Sequence, residues 1–186
     1  MKPVGKRLGA FGVKPNAITT VSLLVSCMAA LAYSFKFPVI GALGILASGF
    51  VDMLDGAVAR ATRSATRFGA VYDHVLDRYS EFAILLGMGL GGLVDWIWVV
   101  FALFGMVMAS FVRAKAESVG GLKSCTVGIA ERQEKLILLM IGSILQPLYV
   151  LALPICVFIV GVLSHVTVIQ RLHYTFNETR RLKVEI

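Results

Sequence analysis

Apolar runs of nearly twenty residues recur from Ala17 to Gln170, separated by short charged stretches. A helix needs about 20 such residues to cross the hydrocarbon of a bilayer, so the pattern predicts an all-α membrane protein. Composition agrees: 58% of the 186 residues are hydrophobic, against about 45–50% in soluble domains. Six transmembrane helices are expected, over Ala17–Phe35, Val39–Ala59, Gly69–Leu90, Val94–Val112, Leu136–Leu151 and Ala152–Gln170. Pro38 opens the second. Gln146-Pro147 divides the fifth from the sixth, because proline ends a helix, and Pro154 falls where a first turn tolerates it. Short connections leave one membrane domain over residues 1–186.

Charge orients these helices. With the N-terminus in the cytoplasm, only Lys36 of the 18 Lys and Arg residues falls outside. The rest cluster at 2–14, 60–78, 113–135 and 171–183. Cytoplasmic loops carry such an excess, so both termini are expected in the cytoplasm of a multi-pass cell-membrane protein. The net charge of +7 is then explained by orientation and anionic ligands; no nucleic-acid motif appears, and no nucleic-acid partner is expected. The opening stretch MKPVGKRLGAFGVKPN lacks the apolar core and cleavage site of a leader peptide. It is either a short interfacial N-terminal helix, with Val4, Leu8 and Phe11 on one face, or a frayed basic segment. Cys27, Cys125 and Cys156 are scattered among apolar neighbours and read as small core residues.

Four aspartates stand against this apolar background. Asp52 and Asp55 are three apart, with Gly56 and Ala59 on the same helical face; Asp73, Asp77 and Glu81 repeat every four residues. At 1.5 Å per residue, each pair lies about 8–12 Å from a cytoplasmic helix end, so the pairs are expected to meet at one depth. Four carboxylates there repel one another unless a cation neutralises them. Oxygen ligands favour Mg²⁺ or Mn²⁺ over zinc. The plainer alternative is that Arg60, Arg63, Arg67 and Arg78 pair off the acids. His74 is set about 100° away from Asp73 on the helix and is not expected to be a ligand.

The stretch Asp52-Met-Leu-Asp55-Gly56-Ala-Val-Ala59-Arg60, followed by Gly69, Asp73 and Asp77, fits DxxDGxxAR(x8)GxxxDxxxD without a mismatch. It resembles the signature of the CDP-alcohol phosphotransferases, membrane enzymes of phospholipid synthesis. The resemblance implies six helices, a homodimer, and a metal site for one or two ions at Asp52, Asp55, Asp73 and Asp77. Asp77 would also be the general base. Asp52, Gly56, Ala59, Arg60 and Gly69 would bind the CDP-lipid, CDP-diacylglycerol or CDP-archaeol. The small residues are equally explained by tight helix packing. An ion-coupled transporter also carries acids in membrane helices, but these are expected near the midplane and in matching repeats, which this chain lacks.

A second informative stretch, SFVRAKAESVGGLKSCTVGIAERQEKL, places Arg113, Lys115 and Arg132 at neighbouring helix ends. Two arginines and a lysine suit a phosphorylated acceptor; orientation in the membrane explains them equally well on charge alone. RAKAES followed by GIAER resembles the branch of the same family that uses inositol 1-phosphate. By that resemblance Arg113, Lys115 and Arg132 hold the acceptor phosphate, with glycerol 3-phosphate the competing acceptor. Lys14-Pro15-Asn16 resembles the family's TPN, with lysine in place of threonine. Gly87 and Gly91 form a GxxxG that seats either a dimer partner or, as expected here, a helix of the same chain.

Overall fold

The computed structural model describes residues 14–62 and 64–184, and these hold six α-helices and no strand. They are α1 (Pro15–Ser34), α2 (Pro38–Thr62), α3 (Arg67–Leu90), α4 (Trp96–Ser118), α5 (Arg132–Leu145) and α6 (Ala152–Val184). The expected interfacial helix lies outside the described residues. The chain forms two compact units, one reaching Leu93 and the other starting at Val94.

In the first unit α1 packs against both α2 and α3. Its buried stripe is Ile18, Thr19, Ser22, Ser26, Ala29 and Tyr33, whereas Val21, Leu24, Met28 and Leu31 are exposed. Ile18 aside, large apolar side chains outside and small or hydroxyl-bearing ones inside invert the pattern of a water-soluble helix. It is the distribution expected where lipid is the solvent and helices associate through close packing. Gly87 of α3 and Gly91 at its C-cap illustrate that closeness. A β-carbon at Gly87 would run into the Ala30 backbone, and one at Gly91 into the Tyr33 carbonyl. The GxxxG therefore seats α1 of its own chain, as expected.

In the second unit α6 packs against α4 and α5. Four helices, α1, α2, α4 and α6, are long and apolar enough to cross a membrane. The sequence reading expected six. α3 is long enough, but Arg67, Asp73, Asp77, Arg78 and Glu81 lower its hydropathy. α5 is shorter than expected: it starts at Arg132, ends at Leu145 and has 14 residues, about 21 Å at 1.5 Å per residue. The helix stops just before Gln146-Pro147, and the Gln146 Oε1 accepts the Leu153 N–H at 3.1 Å, tying the turn to the start of α6.

Two other boundaries move outward. α4 runs on to Ser118, so Arg113, Lys115 and Glu117 are helical. α6 continues well past Gln170, because its polar continuation makes helix-compatible contacts such as Glu178–Arg181 at 3.0 Å, three residues apart. Hydropathy marks where a span ends; it does not mark where the helix ends.

Candidate active site

The first unit carries an open cavity of about 180 Å³ bounded by α1, the end of α2 and the start of α3. α3 starts where Thr66, in extended conformation, accepts the Gly69 N–H on its side chain at 2.9 Å, a local N-cap. Pro15 at the first position of α1 fixes the other entry. Asp55, Gly56, Ala59, Gly69 and Asp73 all line the cavity, joined by Asn16 and Thr19 of α1. The two α1 residues were not marked by the aspartate pattern. The asparagine follows Lys14-Pro15, and its Oδ1 would lie 3.2 Å from a β-carbon at Gly69.

One carboxylate oxygen from each of Asp52, Asp55 and Asp73 lies within 4.8 Å of the others. Two helices thus deliver three acids to one point, as the spacing predicted. Asp77 does not complete that triple. It groups instead with Asp73 and His74, again within 4.8 Å, and is only 9% exposed. The expectation that four acids share one cluster is refined: Asp73 belongs to two overlapping groups. His74, set aside on helical direction, has a ring nitrogen in the second group, because an imidazole reaches across a one-residue step.

Arg60 is exposed, and its guanidinium folds back over Gly56, 3.1 Å from where a β-carbon would stand. Arg78 pairs with the buried Glu81 at 2.8 Å, so one of the arginines considered as a partner for the aspartates pairs with the glutamate. Asp55 accepts a hydrogen bond from the Thr19 hydroxyl at 2.8 Å. Three converging carboxylates supply an oxygen-only donor set, and that chemistry fits a hard divalent ion such as Mg²⁺ or Mn²⁺.

The second unit holds the three basic residues. Arg113 pairs with Glu117 at 3.3 Å on α4. Lys115 is exposed, its ammonium 5.7 Å from the Phe111 ring centroid. Arg132 is the first residue of α5, behind a capping box formed by Glu131 and Glu134. The connection between α4 and α5 is held from both sides. Glu117 accepts the Cys125 N–H at 3.0 Å, and Gln170 accepts that of Ile129 at 3.0 Å. Arg171, only 6% exposed, donates to the carbonyls of Val127 at 2.9 Å and Ala109 at 2.6 Å. The sequence reading treated Arg171 as a cytoplasmic orientation charge; burial and these two bonds make it a structural tie.

Residues 13–170 match the family model described as CDP-alcohol phosphatidyltransferase. The chain is 39% identical over 185 residues to an archaetidylinositol phosphate synthase of Methanothermobacter thermautotrophicus, covering 97% of this chain and 89% of that protein. It is 35% identical over 187 residues to a phosphatidylinositol phosphate synthase of Mycolicibacterium smegmatis, covering 92% and 82%. Among solved structures, the Mycobacterium tuberculosis phosphatidylinositol phosphate synthase with CDP-DAG bound aligns with a TM-score of 0.84 at 30% identity. The alignment covers 94% of this chain and 92% of that one. The same enzyme in complex with manganese and citrate aligns with a TM-score of 0.85, at 30% identity, over 94% and 88%.

Proposed function

The chain belongs to the CDP-alcohol phosphatidyltransferase family, and on that premise we propose that it moves a phosphatidyl or archaetidyl group from a CDP-lipid to inositol 1-phosphate, releasing CMP. The observation that carries the reading is the convergence of Asp52, Asp55 and Asp73 beside a cavity lined by Gly56, Ala59 and Gly69. The names of the relatives support the acceptor.

Asp52, Asp55 and Asp73 hold one or two divalent ions, Mg²⁺ or Mn²⁺, with Asp77 adjoining through Asp73. A bound divalent ion supplies positive charge against a pyrophosphate whose negative charge shifts during transfer. Gly56, Ala59 and Gly69 let the nucleotide approach the helix backbone, with Asp52 and Arg60 binding the CDP moiety. Arg113, Lys115 and Arg132 bind the acceptor's phosphate. The acceptor hydroxyl attacks the lipid-bearing phosphorus; the new P–O bond forms as the bond to CMP breaks. Asp77 takes the hydroxyl proton, and its shielding from water suits a base that must not be bypassed by solvent.

The whole chain, residues 1–186, is one membrane domain of six crossings that works as a homodimer in the cell membrane. Both termini and the active site face the cytoplasm. The test supplies purified protein with CDP-diacylglycerol or CDP-archaeol and Mg²⁺ or Mn²⁺, and compares acceptors by CMP release. Inositol 1-phosphate should be used and free inositol poorly, and chelator should stop turnover. Efficient use of glycerol 3-phosphate with inositol 1-phosphate inert would overturn the acceptor assignment. Undiminished turnover in excess chelator would overturn the metal assignment.

A further inference from the structure

Thr19 lies on α1, 36 positions from Asp55 in sequence, and is 4% exposed. Its hydroxyl has one proton and two acceptors in reach: the Pro15 carbonyl at 3.2 Å and the Asp55 Oδ2 at 2.8 Å. Other hydroxyls of the same helix show the usual alternative. Thr20 donates to the Asn16 carbonyl at 2.9 Å and Ser26 to that of Ser22 at 3.0 Å, each four residues back. Against these, the Thr19 contact to its own helix is long and the contact to the carboxylate is short. A charged acceptor forms the stronger bond, so the proton goes to Asp55.

We propose that Thr19 is a positioning residue: its hydroxyl orients Asp55 within the Asp52–Asp55–Asp73 group and so sets the affinity of that group for a divalent cation. The inference rests on the reading of Asp55 as a metal ligand given above. Donors behind a ligating carboxylate act in this way, and their loss typically weakens metal binding about 10- to 100-fold. A merely structural account is available on the page. One turn further along the same seam, Ser22 donates to the Ser48 carbonyl at 3.0 Å and ties α1 to α2 without touching an acid. That bond supplies the control.

The experiment titrates Mn²⁺ into the full-length protein without CDP-lipid, following free Mn²⁺ by electron paramagnetic resonance. Thr19→Val, which keeps shape and loses the donor, should weaken Mn²⁺ binding about 10- to 100-fold. Thr19→Ser should restore binding to near the wild-type value, and Ser22→Ala should leave it unchanged while lowering the melting temperature. Thr19→Ala gives the same test if the valine variant does not fold. Wild-type Mn²⁺ affinity in either donor-free variant, with Asp55→Asn unable to bind, would overturn the role of Thr19 alone. Wild-type affinity in Asp55→Asn would instead overturn the metal reading on which it stands. Equal weakening in Ser22→Ala would show that helix clamping sets the affinity, and the proposal would fall.

Discussion

Asp77 is the acid whose role is most separable from its neighbours. It is nearly buried and shares a group with Asp73 and His74, outside the Asp52–Asp55–Asp73 triple. Asp77→Asn keeps the size and the hydrogen-bonding reach but cannot take a proton at neutral pH. CMP release at saturating substrate should fall about 10²–10⁴-fold, the usual contribution of a general base, with CDP-lipid binding retained. Normal turnover in that variant would assign the proton to another group. The aspartates themselves were legible because helical periodicity is local: separations of three and four residues put them on one face before any tertiary contact is known. Thr19 was not legible as their neighbour, since a contact spanning 36 positions leaves no periodic trace. The nearness of a His74 ring nitrogen to Asp73 and Asp77 was not legible for a related reason. Backbone direction is written in the spacing, but the reach of an imidazole is settled by its rotamer.

Helix ends separate what hydropathy reads from what the chain builds. The starts of α2 at Pro38 and of α6 at Ala152 follow from proline chemistry and were predicted closely. The ends of α4 and α6 were placed too early, because the apolar run stops at the membrane edge while the backbone stays helical. That shift matters for the residues proposed to bind the acceptor: Arg113 and Lys115 stand on a helix, and Arg132 opens the next one behind its capping box. The intervening loop is pinned by Glu117, Gln170 and Arg171. Rigid mounting lets a truncation report on one contact. Arg132→Ala should remove one charge-assisted bond, of about 1.5–3 kcal/mol, and weaken the apparent affinity for inositol 1-phosphate roughly ten- to hundredfold. Affinity for the CDP-lipid, assigned to the first unit, should change little. Saturation curves for both substrates check this, and equal losses in the two would mean a general defect with no acceptor role for Arg132.

On the scale of the whole molecule, the open question is how a 14-residue α5 takes part in a membrane protein. Its ~21 Å falls short of the ~30 Å hydrocarbon thickness. The turn beyond it, however, is apolar and outward-facing: Leu148 is 86% exposed and Val150 73%. Such a turn sits comfortably in hydrocarbon near the interface, and a short span is accommodated by local thinning at modest cost. The opposing argument would have α5 enter and return on one side. Charge favours the crossing proposed above. Lys123 precedes α5, and Arg180 and Arg181 stand in the last turns of α6; positive residues at both places favour a single, cytoplasmic side. On that proposal both α5 and α6 cross between Lys123 and Asn177. With Cys27, Cys125 and Cys156 replaced by alanine, single cysteines at Lys36, Lys123 and Asn177, all exposed, report the side of each. An impermeant maleimide should label Lys36→Cys in intact cells, and Lys123→Cys and Asn177→Cys only after permeabilisation. If Lys123→Cys and Asn177→Cys label from opposite sides, α5 does not cross, and the six-span arrangement gives way to an odd number with the end of α6 outside.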